Sequence, residues 1–252
     1  MPFCAARCDY CAFATWTDRH HLQRTYLEAC RRDVERAVAA AMPPATSIFV
    51  GGGTPSMVPP SDLVAVLDAV PRAPGCEVTI ECNPDTVTPE LAEAYAQGGV
   101  NRISLGVQSM VDHVLHGLGR THDPDNVRRA VTLVRDVGIP AINLDLIYGG
   151  AGESVDDWRR TVESALELDP PHVSAYALTV EPGTALAEAY AAGGVNRVSL
   201  GVQSMVDHVL VALGRTHDPA NVRRAVAWFR QAGIPTLNLD LIYGSRVESR
   251  DD

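Results

Sequence analysis

The sequence predicts an α/β fold built on a parallel β-sheet, and three features carry that reading. Short β-rich runs alternate with longer helical stretches almost from the start. Those runs are rich in Val, Ile, Leu and Tyr and look too continuous for half-exposed strands, so both faces are expected to be buried. The helix ends carry recognisable start and stop residues. Repeated alternation implies right-handed βαβ units and a sheet that is open or curled towards a barrel.

Taken in order, the strand candidates are Ser47–Val50, Glu77–Glu81, Arg102–Val107, Ala141–Ile147 and His172–Leu178. Ahead of them, a first helix places Leu22, Tyr26, Leu27, Cys30, Val34 and Val38 on one face. Asp123 followed by Pro124 reads as an N-cap with proline at the first helical position. Ser154 with Asp157 reads as a capping box. Gly138-Ile139-Pro140 ends one helix and turns the chain into the next strand.

A chain of 252 residues suffices for one large α/β domain or two small ones. With 31 acidic against 21 basic residues, the net charge of −10 argues against a nucleic-acid partner, which needs clustered Lys and Arg. No apolar run approaches the roughly eighteen residues a membrane helix needs. The start, Met1-Pro2-Phe3-Cys4, lacks the basic and apolar regions of a secretory signal. Three of six cysteines crowd the first eleven residues, a spacing that suits a metal site better than disulfides, so a reducing cytoplasm is expected.

The chain also repeats itself. Residues 91–157 recur as 186–252, with 51 of the 67 aligned positions identical. Solenoid repeats are shorter, roughly 20–50 residues, so a recent duplication or a misassembled gene explains this better than a functional array. Because Arg197–Val202 and Thr236–Ile242 copy two apolar strands, they are expected to extend the main sheet after His172–Leu178 or to compete for the places of their originals. Gln203, Arg215 and Asp240 repeat Gln108, Arg120 and Asp145 without a second cysteine loop, so a single site is expected.

Two motifs carry chemistry. Cys4, Cys8 and Cys11 form a C-x3-C-x2-C run whose thiolates could wrap three corners of a cubane iron–sulfur cluster and leave one iron open. A structural zinc site is the alternative, with His20 or His21 as the fourth ligand. Gly51-Gly52-Gly53-Thr54-Pro55 follows directly on a strand, and its glycines can bring unshielded backbone groups close to a ligand. It is neither a Walker A loop nor a dinucleotide turn, and a plain βα turn is the bland alternative. Asp145 lies inside an apolar strand, where an ionised carboxylate is costly unless paired. Arg120 could be a solvated surface residue and Gln108 a core amide. Cys30, Cys76 and Cys82 read as small buried hydrophobes, and His113, His116 and His122 as surface residues.

Together, the cysteine run with Tyr10 before its last member and the strand ending in Gly-Gly-Gly-Thr-Pro resemble the radical S-adenosylmethionine (SAM) superfamily. Pro2-Phe3-Cys4, Ile80-Glu81-Cys82-Asn83-Pro84, Gly106-Val107-Gln108-Ser109, Leu118-Gly119-Arg120 and Asn143-Leu144-Asp145-Leu146 resemble the branch holding oxygen-independent coproporphyrinogen III oxidases and HemW-type haem chaperones. The oxidases carry another cysteine two residues after the third cluster cysteine; here that position is Phe13, which matches the HemW pattern.

The resemblance implies a partial (β/α) barrel of the radical SAM type, with parallel strands, open at one side. It implies a 4Fe–4S cluster on Cys4, Cys8 and Cys11, with SAM chelated at the open iron. Tyr10 would approach the adenine, and Gly52, Gly53 and Thr54 the methionyl end. Glu81, Gln108, Arg120 and Asp145 match positions lining the same pocket. Residues 1–185 then form a radical SAM core lacking its first strand, and 186–252 stand where the family has its C-terminal domain. Three functional readings follow: a haem chaperone passing haem to target proteins, a coproporphyrinogen oxidase, or a fragment or chimera without activity. Phe13 argues against the oxidase.

Overall fold

Val78, Ile80 and Cys82 alternate with Glu77, Thr79 and Glu81 along one strand, and this alternation organises the first part of the fold. The computed structural model describes residues 1–181, 183–193, 197–215, 217–231 and 236–242. The chain divides into two units, one of Met1–Cys8 with Phe13–Leu178, the other of Asp9–Ala12 with Thr179–Asp252.

The first unit opens with helix α1 (Gln23–Ala39) and strand β1 (Ala45–Val50). It continues through α2 (Pro60–Asp68), β2 (Arg72–Cys82), α3 (Pro89–Gln97) and β3 (Arg102–Gln108). Then come α4 (Asp112–Gly117), α5 (Pro124–Asp136), β4 (Ala141–Tyr148), α6 (Val155–Leu166) and β5 (His172–Ala177). The five strands are all parallel and pair in chain order, giving the open half-barrel expected from the sequence. Order without a switch point directs ligands to the carboxyl ends of the strands, as in closed barrels.

Caps set the helix boundaries as read from the sequence. Asp123 accepts from the Asp125 amide at 2.8 Å, and Ser154 and Asp157 form the reciprocal capping box. Gly138 ends α5 at a φ of +80°, where only glycine is unstrained.

Register builds the core. Ile80, Ile103 and Ile142 stand side by side on adjacent strands, as do Cys82, Leu105 and Leu144. These rows pack in one buried cluster with Leu63 and Leu67 of α2, Tyr95 of α3, and Val127, Val131 and Val134 of α5. The opposite face carries Glu81, Ser104 and Asn143 in one row, and Gly106, Asp145 and Ser174 in the next. The expectation of two apolar, buried faces is therefore corrected. β3 and β4 are largely buried, but β1 and β5 each expose half or more of their residues, with Phe49 65% and Tyr176 56% exposed. They are the edges of an open sheet, and only one of its faces is apolar. The stripe of α1 is likewise buried only at its middle: Leu27 is buried and Tyr26 and Cys30 pack on the core, while Leu22 and Val38 stay exposed.

The second unit contains α7 (Ala185–Ala192), β6 (Arg197–Gln203), α8 (Asp207–Ala212), α9 (Pro219–Gln231) and β7 (Thr236–Leu241). β6 and β7 pair in parallel as a two-stranded sheet of their own. The repeat therefore does not extend the five-stranded sheet, nor does it displace its originals. The reason is its own register: Leu200↔Leu239 and Gln203↔Leu241 reproduce Leu105↔Leu144 and Gln108↔Leu146. Each copy brings its best partner with it. Residues 243–252, the end of the repeat, lie outside the described residues. Among the described residues no helix is long and apolar enough to cross a membrane.

Candidate functional site

The site is built where the N-terminal segment meets the loop after β1. Phe3 is buried and bridges to Trp16; the Cys4 amide donates to the Trp16 carbonyl at 3.2 Å and the Trp16 amide to the Pro2 carbonyl at 2.8 Å. This short ladder closes the chain between Cys4 and Trp16 into a loop that carries the cysteine run.

The glycine loop holds that segment in place. The Gly53 amide donates to the Met1 carbonyl at 2.6 Å and the Thr54 amide to the Phe3 carbonyl at 2.7 Å. The Thr54 hydroxyl reaches the Cys4 Sγ at 3.6 Å. The Gly52 amide donates to Glu81 Oε2 at 3.1 Å, from a φ of +111°. A side chain on Gly53 would begin 2.6 Å from the Phe3 carbonyl oxygen and 3.0 Å from the Cys4 Sγ. The glycine loop thus permits a close approach of the chain's own N-terminal segment, and the Gly52, Gly53 and Thr54 amides bind Glu81, Met1 and Phe3. Burial pushes the Glu81 carboxyl above its ordinary range; the Gly52 amide opposes this, and the nearby Asp145 adds to it.

Asp145 sits opposite Gly106 on β4, and both of its oxygens are occupied. Ser104 Oγ donates to Oδ2 at 2.6 Å and Asn143 Nδ2 to Oδ1 at 2.8 Å. Asn143 also donates to Ser104 Oγ at 2.8 Å and accepts from Ser174 Oγ at 3.2 Å. A polar chain thus runs across β3, β4 and β5 and answers how a carboxylate persists in an apolar strand. Gln108 ends β3 at a φ of +63°, beside the register shift between Gly106 and Gln108. A left-handed non-glycine residue at a strand end is strained, and such strain clusters at functional sites.

Arg120 is not a solvated surface residue. Nη2 donates to the Gly106 carbonyl at 2.8 Å, Nη1 to the Cys8 Sγ at 3.6 Å, and Nε to His122 Nδ1 at 3.3 Å. His122, expected at the surface, is only 4% exposed. Burial, and then the charge on Arg120, push its pKa down to about 4, so the ring is neutral at pH 7. His113 and His116 are exposed as expected, His113 lying 3.2 Å from Asp157. Cys30 is half-buried, whereas Cys76 and Cys82 are buried as expected. Burial pushes the Cys82 thiol up to about 12, which leaves it inert.

Cys4 and Cys8 belong to the first unit, whereas Tyr10 and Cys11 fall in the second. None of the six cysteines is in a disulfide, and Cys4, Cys8 and Cys11 are all partly exposed. Among the described residues no three His, Cys, Asp or Glu side chains converge as a metal site. The loop offers three soft donors, not a closed cage. The sequence reading gives Ser104 and Asn143 no role of their own and puts His122 at the surface; polar residues within or beside apolar strands were the available signal.

Residues 1–165 and 172–252 match the Radical SAM superfamily. The chain belongs to the radical SAM superfamily. Its relatives include proteins named heme chaperone HemW from Mycobacterium tuberculosis, 42% identical over 195 residues, and from Escherichia coli, 37% identical over 190. These alignments cover 74% and 73% of this chain but 50% of each relative, so the chain spans about half their length. A zebrafish relative, radical S-adenosyl methionine domain-containing protein 1, mitochondrial, is 34% identical over 190 residues, covering 73% of this chain and 43% of its own length.

The radical SAM fold is also seen in solved structures. Coproporphyrinogen III oxidase from Escherichia coli superposes with a TM-score of 0.66 at 19% identity, covering 92% of this chain and 51% of that one. The methyltransferase TsrM from Kitasatospora setae gives 0.60 at 18% identity, covering 77% of this chain and 38% of its own. At these identities the likeness is one of fold.

Radical SAM membership implies a 4Fe–4S cluster and SAM. The donor chemistry fits a cluster: three partly exposed thiols outside any disulfide lie on one short loop, and an arginine stands beside Cys8.

Proposed function

We propose that this chain is a HemW-like radical SAM protein that binds a 4Fe–4S cluster on Cys4, Cys8 and Cys11 and handles haem for transfer to acceptor proteins. The observation that carries the reading is the docking of the cysteine segment on Gly53 and Thr54, with Arg120 reaching Cys8. Such an arrangement gathers thiols, unshielded backbone and a cation at the carboxyl ends of the strands. Together with relatives named for haem chaperoning, it supports this function over a zinc site.

When bound, the cluster supplies an open iron and one-electron chemistry. The chain's own residues bind and orient. We assign Tyr10, Gly52, Gly53, Thr54, Glu81, Gln108, Arg120 and Asp145 to the SAM pocket. Arg120 presents a fixed cation, suited to a carboxylate. Asp145 and Glu81 offer acceptors for an ammonium group. The Ser104–Asn143 pair keeps Asp145 aimed. Phe13, exposed after the cysteine run, stands where an oxidase would need another thiol.

We assign the protein to the cytoplasm, a reading supported by the crowding of Cys4, Cys8 and Cys11, which suits a metal site better than disulfides. Residues 186–252 are read as a copy of 91–157 without a cysteine loop, so one cofactor site is expected per chain.

Anaerobic reconstitution with iron and sulfide tests this. About four irons per chain are expected, with the charge-transfer absorption of a cubane cluster, followed by a shifted haem spectrum on titration with haem. Loss of iron in Cys4→Ala, Cys8→Ala and Cys11→Ala, but not in Cys30→Ala, is the expected pattern. Equal iron in the wild type and the Cys8→Ala chain would overturn the cluster assignment. Anaerobic formation of protoporphyrinogen from coproporphyrinogen III would replace the chaperone by the enzyme.

A further inference from the structure

We infer that His122 is a positioning residue: by accepting the Nε proton of Arg120, it fixes the guanidinium plane against the cysteine loop and sets the affinity for an anionic group there. Naming that group as the carboxylate of SAM rests on the proposed function; the geometry itself does not.

Arg120 is held at three points. Nη2 meets the Gly106 carbonyl, Nη1 the Cys8 thiol and Nε the His122 ring. Two contacts at the tips would leave the plane free to pivot, whereas a third at Nε defines it. His122 can serve because its own backbone is pinned. The turn before it is closed by Arg120 N to the Leu115 carbonyl at 2.9 Å, and Asp123, the next residue, caps α5.

The ring must be neutral, with its proton on Nε2, for Nδ1 to accept. Burial and the adjacent guanidinium both favour the neutral form, against the opposing influence of Asp85 and Asp123. Nε2 is buried without a well-formed hydrogen bond, although it interacts with the Val107 carbonyl. Two related contacts occur in the second copy: His217 Nε2 lies 2.9 Å from the Val202 carbonyl, and Arg215 Nη2 donates to the Gly201 carbonyl at 3.3 Å. The second copy has no cysteine loop, so the hold of the arginine and of the histidine on the strand's carbonyls does not depend on one. His122 is the only histidine buried among the described residues of the first unit.

The test uses the full chain and three variants. His122→Leu keeps bulk and removes the acceptor; His122→Asn puts an acceptor oxygen near the place of Nδ1; Arg120→Ala removes the partner. In the metal-free wild type, Arg120 Nε–H should give a slowly exchanging NMR cross-peak, identified by its loss in Arg120→Ala. That peak should persist in His122→Asn and vanish in His122→Leu. After reconstitution, equilibrium dialysis should show SAM binding about tenfold weaker in His122→Leu, as expected for one hydrogen bond to a charged group. Iron content should be unchanged, and His122→Asn should recover most of the affinity. In the Arg120→Ala background His122→Leu should add nothing further. A fast-exchanging Nε–H in the wild type, equal SAM affinity in wild type and His122→Leu, or additive losses in the double variant would each overturn the inference. A wild-type chain that holds iron yet fails to bind SAM overturns the functional reading instead, while the cross-peak still decides the role of His122.

Discussion

A side chain on Gly53 would begin 3.0 Å from the sulfur of Cys4. The glycine is thus part of the cysteine site although it offers no ligand atom. Its amide is already committed to the Met1 carbonyl, so the residue acts by leaving room. Gly53→Ala should push the cysteine segment off the loop, because the Phe3 carbonyl, 2.6 Å away, is backbone and cannot swing aside. Reconstituted iron per chain is expected to fall by more than half. Gly150→Ala, where the nearest atom would lie at 3.5 Å, should load as the wild type does. Equal loading in both variants would show that the close approach is dispensable.

The polar chain on the inner face of the sheet yields a second expectation. Ser104 and Asn143 satisfy both oxygens of Asp145 and are themselves 6% and 4% exposed. Removing either leaves a partly buried acceptor short of a donor, at a cost of about 1 kcal/mol or more. Urea denaturation of Asn143→Ala should show a loss of that size. Ser104→Ala should lose less, because Ser104 takes part in two of these hydrogen bonds and Asn143 in three. Since the two share partners, the double variant should lose less than the sum. Strict additivity would mean that the three side chains do not act as one network.

Much of this was legible in the sequence. The five strand positions, the caps at Asp123 and Ser154 and the cysteine and glycine motifs all follow from local pattern, which local physics reads well. What was not legible depends on which face a residue takes. Glu77, Thr79 and Glu81 alternate with Val78 and Ile80, a pattern that says one face is polar but not which side of the sheet it takes. His122 follows a surface turn in sequence, and only the approach of Arg120 to β3 shows that it is enclosed. The repeat was misplaced for a similar reason. Apolar strands need a partner, but sequence alone does not say whether the partner is the old sheet or the other half of the copy.

The neutral His122 predicts a pH dependence. Its folded pKa of about 4 lies below the ordinary value of 6.5, so between these values the unfolded chain binds the extra proton. The stability it contributes is complete above pH 6.5 and is lost as pH falls towards 4, amounting to about 3 kcal/mol at most. Arg120, Asp85 and Asp123 face the ring and remain in His122→Asn, and Glu81, with its raised pKa, works in the opposite direction. The difference between wild type and His122→Asn therefore isolates the ring. Urea midpoints measured from pH 7.5 to 4.5 should fall more steeply for the wild type. Parallel curves would mean that the ring is protonated in the folded chain.

The two copies of the repeat should differ in protection although their sequences nearly coincide. β3 and β4 lie inside a five-stranded sheet, with Leu105 and Leu144 fully buried. Their counterparts β6 and β7 form a two-stranded sheet in which Leu239 is 43% and Leu241 62% exposed. Each leucine taken out of water contributes roughly 1.5–3 kcal/mol, and a two-stranded sheet has few other sources of stability. Local opening is therefore cheaper in the second copy, and amide exchange reports its free energy directly. Hydrogen–deuterium exchange with peptide resolution should find 102–108 and 141–148 protected at least tenfold more strongly than 197–203 and 236–241. Sequence differences are too few for intrinsic exchange rates to produce such a gap, so the comparison is internally controlled. Equal protection would mean that β6 and β7 in solution join a larger sheet, either by entering the places of β3 and β4 in a fraction of molecules or by pairing with a second chain. A dilution series separates these two, since only pairing between chains weakens as the concentration falls.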